Sequence, residues 1–220
     1  GFNASHTLEY SLVALQEMNL AYKYPIIFWN CACLISDSGG AEVVENEEVA
    51  VDEKTEVQYD AKETKVIESI VISSPVNGVA ADLSTAPDVA FAERMMGDGA
   101  VVIPKDSFVY APEDGEVAFV FDTKHAIGFM TDSGISLLIH IGIDTVNLNG
   151  NGFETLVEAG QKVKKGEPML KIDLDYLKEH APSIVSPILC TELDDNQKIH
   201  LLKEGNINAG EALFTVDICE

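Results

Sequence analysis

Hydrophobic and polar positions follow three different rhythms along this chain. Near its start, Leu8, Leu12, Leu15, Met18 and Ala21 recur at close to helical spacing behind Ser5, His6 and Thr7, which predicts a helix there. Pro25 stops it. The aromatic-rich Ile26-Ile27-Phe28-Trp29 follows, and Ser36-Asp37-Ser38-Gly39-Gly40 reads as a loop. A helix of this size cannot bury its apolar face alone and needs a partner. Residues 41–68 then hold ten acids and three lysines, the composition of a solvated, flexible linker.

From Ser69 onward the period shortens. Runs such as Ile70-Val71-Ile72, Gly99 to Ile103, Glu116 to Phe121, Ala126 to Met130, Ser136 to Ile141, Met169 to Ile172 and Leu213 to Val216 alternate with Gly, Pro and Asp turns. Many short strands at close spacing predict an all-β fold, an antiparallel β-sandwich or barrel-like domain. Within it, Asp175 to His180 and Asp194 to Lys198 read as short helical turns. The expected organisation is a helical leader or fusion fragment over 1–40, an acidic linker over 41–68 and a β domain over 69–220.

Composition narrows the function. Of 220 residues, 46% are hydrophobic and 23% charged, which is globular, not disordered. With 14 Lys+Arg against 37 Asp+Glu, the net charge is −23. Such a field repels phosphate backbones, so no nucleic-acid partner is expected. No run approaches the ~20 apolar residues of a membrane helix, so no membrane insertion is expected either. There is no basic-then-apolar signal peptide, and Gly1, in place of an initiator Met, reads as the start of a fragment. Cys31, Cys33, Cys190 and Cys219 form no CxxC pair or zinc-type spacing. They read as free, buried thiols of a cytoplasmic protein.

The chemistry centres on histidine. His6, His180 and His200 lie in polar or turn-like contexts and read as surface residues. His125 begins a strand, and His140 lies inside the apolar Leu137-Leu138-Ile139-His140-Ile141. Thr131-Asp132-Ser133-Gly134 between them is a hairpin signal. Counting outward from that turn places the two rings roughly opposite, on one face. A polar ring in an apolar strand is most often a satisfied core group. Two facing imidazoles widen the choice to holding a metal, acting as an acid–base pair, or carrying and stabilising a phosphoryl group. His140-x-x-x-Asp144 also fits half of a zinc-peptidase motif, but the His-x-His such a peptidase needs is absent from the chain.

The residues from about Ser69 to Cys219 closely resemble enzyme IIA of the glucose family, in the bacterial phosphoenolpyruvate:sugar phosphotransferase system. The matching stretches include Ser74-Pro75-Val76-Asn77-Gly78, Pro87 to Glu93, Gly97-Asp98-Gly99, Ala111 to Gly115, Thr123-Lys124-His125-Ala126, and the long string from Leu138 through Phe153. The resemblance implies an antiparallel β-sandwich with a shallow apolar depression. It implies that His140 accepts a phosphoryl group from HPr on Nε2 and passes it to the IIB domain of a glucose-type sugar permease. His125 would steady that group, and the Thr123 hydroxyl would orient His125. Phe91, Phe121, Leu138, Ile141 and Val146 would form an apolar docking rim, with Asp88 and Asp144 as rim acids pairing with a basic residue on HPr. Leu138 and Ile141 stand where many relatives carry Phe. No cofactor is implied and no metal is required, although some relatives bind regulatory zinc between the two histidines and a partner's carboxylate, here His125 and His140. An alternative emphasis is a regulatory binding protein whose phosphorylation state controls transporters, kinases or other metabolic enzymes.

Residues 1–40 resemble something else. Gly1 to Thr7 and Tyr24 to Asn30 are similar to a stretch near the end of the catalytic region in bacterial C-family DNA polymerases (the polymerase III alpha type). None of that family's catalytic aspartate motifs is included, and no polymerase activity is inferred.

Overall fold

The computed structural model describes residues 65–220. The helix expected within 1–40 and most of the linker expected over 41–68 lie outside the described residues. In chain order the strands begin β1 (Val66–Ser73), β2 (Gly78–Asp82), β3 (Asp98–Pro104), β4 (Phe108–Tyr110) and β5 (Gly115–Val120). They continue β6 (Ala126–Thr131), β7 (Ser136–His140), β8 (Phe153–Thr155), β9 (Lys162–Val163) and β10 (Pro168–Ile172). Last come β11 (Ser186–Cys190), β12 (Gln197–Leu201), β13 (Gly205–Ile207) and β14 (Ala212–Cys219). Among the described residues two short α-helices interrupt them, α1 (Val89–Ala92) and α2 (Leu174–His180), with 3-10 turns at Leu83–Thr85 and Thr145–Leu148.

The strands build an all-β sandwich. One sheet has eight strands in the order β13-β2-β3-β11-β7-β6-β5-β9, and two smaller sheets run β1-β14-β12 and β4-β10-β8. Their paired strands are antiparallel. The large sheet is covered on both faces. One face joins the small sheets in a core that includes Ile127, Leu137, Ile139, Leu170 and Phe214. The other carries Val101, Ala126, Leu138 and Leu189, covered by Leu83, Phe91 and Met96 from the segment around α1. This double cover explains β7, where all five residues of Ser136–His140 are buried. An unbroken apolar run is what a strand buried on two sides requires.

Three sequence readings change. β1 begins at Val66, inside the stretch read as linker, because it pairs along β14 from Val66↔Cys219 onward. Asp194 to Lys198 is not helical. Gln197 closes a turn onto the Asp194 carbonyl at 2.9 Å, and β12 starts there and pairs with β14. β11, absent from the runs read as strands, contains Pro187, and Pro normally marks an edge or a break. It nonetheless pairs with both β3 and β7.

Candidate functional site

Two strand ends and one short helix converge over the second core. β6 and β7 pair around the expected hairpin, with Ala126 opposite His140 and Gly128 opposite Leu138. His140 is the last residue of β7, not an interior one, and its side chain shares a face with Ala126 and Leu138. His125 lies just before β6, one residue outside the ladder, and its carbonyl accepts from Ile141 at 2.8 Å. Strict alternation would turn its ring away from His140. The strand has not yet begun there, and Lys124 before it has φ 59°. The rings meet edge to face, with centroids 4.8 Å apart and planes at 81°.

The segment beyond His140 is held in one shape. Gly142 has φ 73°, and a β-carbon there would lie 2.6 Å from Thr145 Cγ2 and 2.9 Å from the Ser183 carbonyl oxygen. Only glycine fits this turn. Its amide donates to Ser186 Oγ at 3.1 Å, and Thr145 Oγ1 donates to the Ile141 carbonyl at 2.6 Å. Gly128 is fixed by a different constraint: a β-carbon there would lie 2.1 Å from the Phe119 ring. Sequence reading assigned no role to Gly142, Gly128 or Phe119. The signal for Gly142 was a glycine inside the His140–Asp144 string.

Aromatic rings surround the pair. Phe91 lies 5.2 Å from the His140 ring, Phe121 lies 5.2 Å from the His125 ring, and Phe119 meets Phe121 edge-on at 5.4 Å. His125 is 5% exposed and His140 6%. Burial, and then the neighbouring His140, push His125 down to about 3. Burial pushes His140 down to about 4, partly offset by the Gly142 backbone and the Asp88 carboxylate. Both rings are therefore neutral at physiological pH. His140 Nδ1 is buried and makes no hydrogen bond of ordinary geometry, although Gly142 is near enough to favour the charged ring. Thr123 Oγ1 lies 2.6 Å from His125 Nδ1.

Other expected site residues separate into surface and core. Leu138 (0% exposed) and Ile141 (1%) are core residues, not a rim. Leu138 belongs to the second core and Ile141 to the main one, because the large sheet is covered on both faces. Phe91 is buried against His140, whereas Phe121 and Val146 are half-buried. Asp88 caps α1, accepting from the Ala90 amide at 2.9 Å. Asp144 is exposed, in the left-handed region at φ 56°. Sequence reading missed Val89 (70% exposed) and Met95 (66%), which flank Phe91 in the chain and stay apolar at the surface. Among the described residues, no three His, Cys, Asp or Glu side chains gather as a metal site. His180, as expected, is exposed; it stacks on Tyr176 at 4.0 Å.

Residues 70–196 match the family described as phosphoenolpyruvate-dependent sugar phosphotransferase system, EIIA 1. The chain belongs to this family. Among solved structures it is similar to the glucose permease IIA from Mycoplasma capricolum, at 36% identity and a TM-score of 0.63, over 67% of this chain and 96% of that one. The domain is a phosphocarrier of the sugar phosphotransferase system, which takes its phosphoryl group from HPr and passes it to a IIB domain. No helix among the described residues is long and apolar enough to cross a membrane.

Proposed function

We propose that His140 carries the phosphoryl group on Nε2, that His125 steadies it, and that Thr123 fixes the tautomer of His125. The observation that supports this reading most directly is the edge-to-face contact of two buried, neutral imidazoles at 4.8 Å. A neutral imidazole is a nucleophile, and phosphoryl transfer asks mainly for in-line positioning and stabilised charge. As Nε2 bonds to phosphorus, the bond to the donor breaks and the imidazole keeps its proton on Nδ1. The Gly142 backbone, which favours the charged ring, would accept that proton. His125 has one N–H when neutral. With the Thr123 hydroxyl donating to Nδ1, that N–H sits on Nε2 and is free to donate to phosphoryl oxygens.

The docking surface proposed here consists of exposed Val89 and Met95, half-buried Phe121 and Val146, and the acids Asp88 and Asp144, around the buried Phe91. The acceptor is the IIB domain of a glucose-type permease, supported by the likeness to the glucose permease IIA, and transfer takes place on the cytoplasmic side. The same surface would serve regulated transporters or kinases, with the phosphorylation state of His140 as the signal.

The test is the intact mass after incubation with phosphoenolpyruvate, enzyme I and HPr. One acid-labile phosphoryl group is expected on the parent chain and none on His140→Ala. Phosphorylation of the folded His140→Ala variant would overturn the assignment.

A further inference from the structure

The sequence contains three Asn-Gly pairs, Asn77-Gly78, Asn149-Gly150 and Asn151-Gly152. In such a pair the glycine amide nitrogen can attack the asparagine Cγ. A ring C–N bond forms, Nδ2 leaves as ammonia, and water then opens the imide to aspartate or isoaspartate. Asparagine is thermolabile for this reason. Closing the ring requires the backbone to swing, so the fold decides which pair reacts.

Asn77 is held at both ends of its amide. Its Nδ2 donates to Asp106, its Oδ1 accepts from the Ala209 amide at 2.7 Å, and Gly78 is paired on both sides within the large sheet. Asn151 donates through Nδ2 to the Leu148 carbonyl at 2.8 Å, and its own amide donates there at 3.0 Å. Gly152 is pinned: a β-carbon on it would lie 2.8 Å from the Tyr176 ring, and its carbonyl accepts from Asp173 at 2.9 Å. Asn149 is exposed, with only 3.2 Å bonds, from Nδ2 to the Asn147 carbonyl and from its amide to Val146. Gly150 is held by a single 3.2 Å bond, from the Phe153 amide to its carbonyl, and its nucleophilic amide has no partner. The Gly152 amide is equally free, but the rest of that residue is not.

We propose that Asn149 is a spontaneous modification site, at which deamidation places a carboxylate beside the turn that carries Thr123. A β-carbon on Gly150 would lie 3.8 Å from the Thr123 carbonyl oxygen. Any effect on phosphoryl transfer rests on the roles proposed above, whereas the modification itself does not.

The test is peptide mapping by tandem mass spectrometry, after warming the whole chain at neutral pH, native and in urea. In the native protein, Asn149 should convert about tenfold faster than Asn77 or Asn151. In urea the three should converge, and Asn149→Gln should remove the fast conversion. Equal native rates at Asn149 and Asn151, or a gap that persists in urea, would overturn the proposal.

Discussion

The ring of His125 stands edge-on to the ring of His140, 4.8 Å away, and neither is more than 6% exposed. Two imidazoles this close and this buried cannot both take up protons cheaply. Their folded values of about 3 and about 4 lie below the unfolded value of 6.5, so the unfolded chain binds more protons between those limits. Stability therefore rises with pH through this window and falls as pH drops from 6.5 toward 4. Each ring contributes a slope of up to about 1.4 kcal/mol per pH unit. The acids with lowered values, Asp82, Asp114 and Glu211, act in the same direction but at lower pH. Urea midpoints against pH should show the slope, and replacing both rings by Gln should flatten it above about pH 5.

His125→Gln should still accept a phosphoryl group from HPr but deliver it poorly to IIB. Thr123→Val should slow transfer about tenfold to a hundredfold by freeing the ring that Oγ1 holds at 2.6 Å. Thr123→Ser should restore most of the rate. Rapid-quench measurement of the two half-reactions separates the roles. Equal loss in both steps for His125→Gln would refute the division of labour.

Asp88 caps α1, and substitution by Asn separates that role from its proposed pairing with HPr. Asn caps helices about as well as Asp, so Asp88→Asn should leave stability within about 0.5 kcal/mol. If the charge also meets a basic partner, Asp88→Asn combined with Asp144→Asn should weaken the salt dependence of phosphorylation by HPr. An unchanged salt slope would confine Asp88 to capping and to its electrostatic effect on His140.

Leu138 and Val89 should behave oppositely. Leu138→Ala should cost about 2–5 kcal/mol, because it opens a cavity under Phe91 and His140. Val89→Ser should cost less than about 0.5 kcal/mol and raise the KM for HPr. Thermal melts and phosphorylation kinetics on both variants decide which residue is core and which is contact surface.

Much of this was legible in the chain. The period-two runs and turn residues announced an all-β sandwich, but the count outward from Thr131-Asp132-Ser133-Gly134 set His125 opposite His140, where the ladder sets Ala126, and the rings meet because His125 lies outside β6. What sequence alone could not tell was which face is covered. The resemblance set Leu138 and Ile141 on a rim, whereas Leu138 packs in the second core and Ile141 in the main one. The segment from Leu83 to Met96 closes over the face that carries Leu138, and no local pattern reports a lid supplied from so far along the chain. The same long-range pairing turned Asp194 to Lys198 from an apparent helical turn into the start of β12. It also kept Pro187 inside a two-sided strand.

The pairing of β1 with β14 sets Val66 against Cys219, and the Glu220 amide donates to the Lys65 carbonyl at 3.0 Å. The chain thus enters and leaves the described fold side by side, through a sheet that contains neither histidine. Tension applied through those two points would unzip one ladder rung by rung instead of shearing many bonds together. Such a joint yields at low force, so pulling on those two points would open this seam before it disturbed the histidine pair.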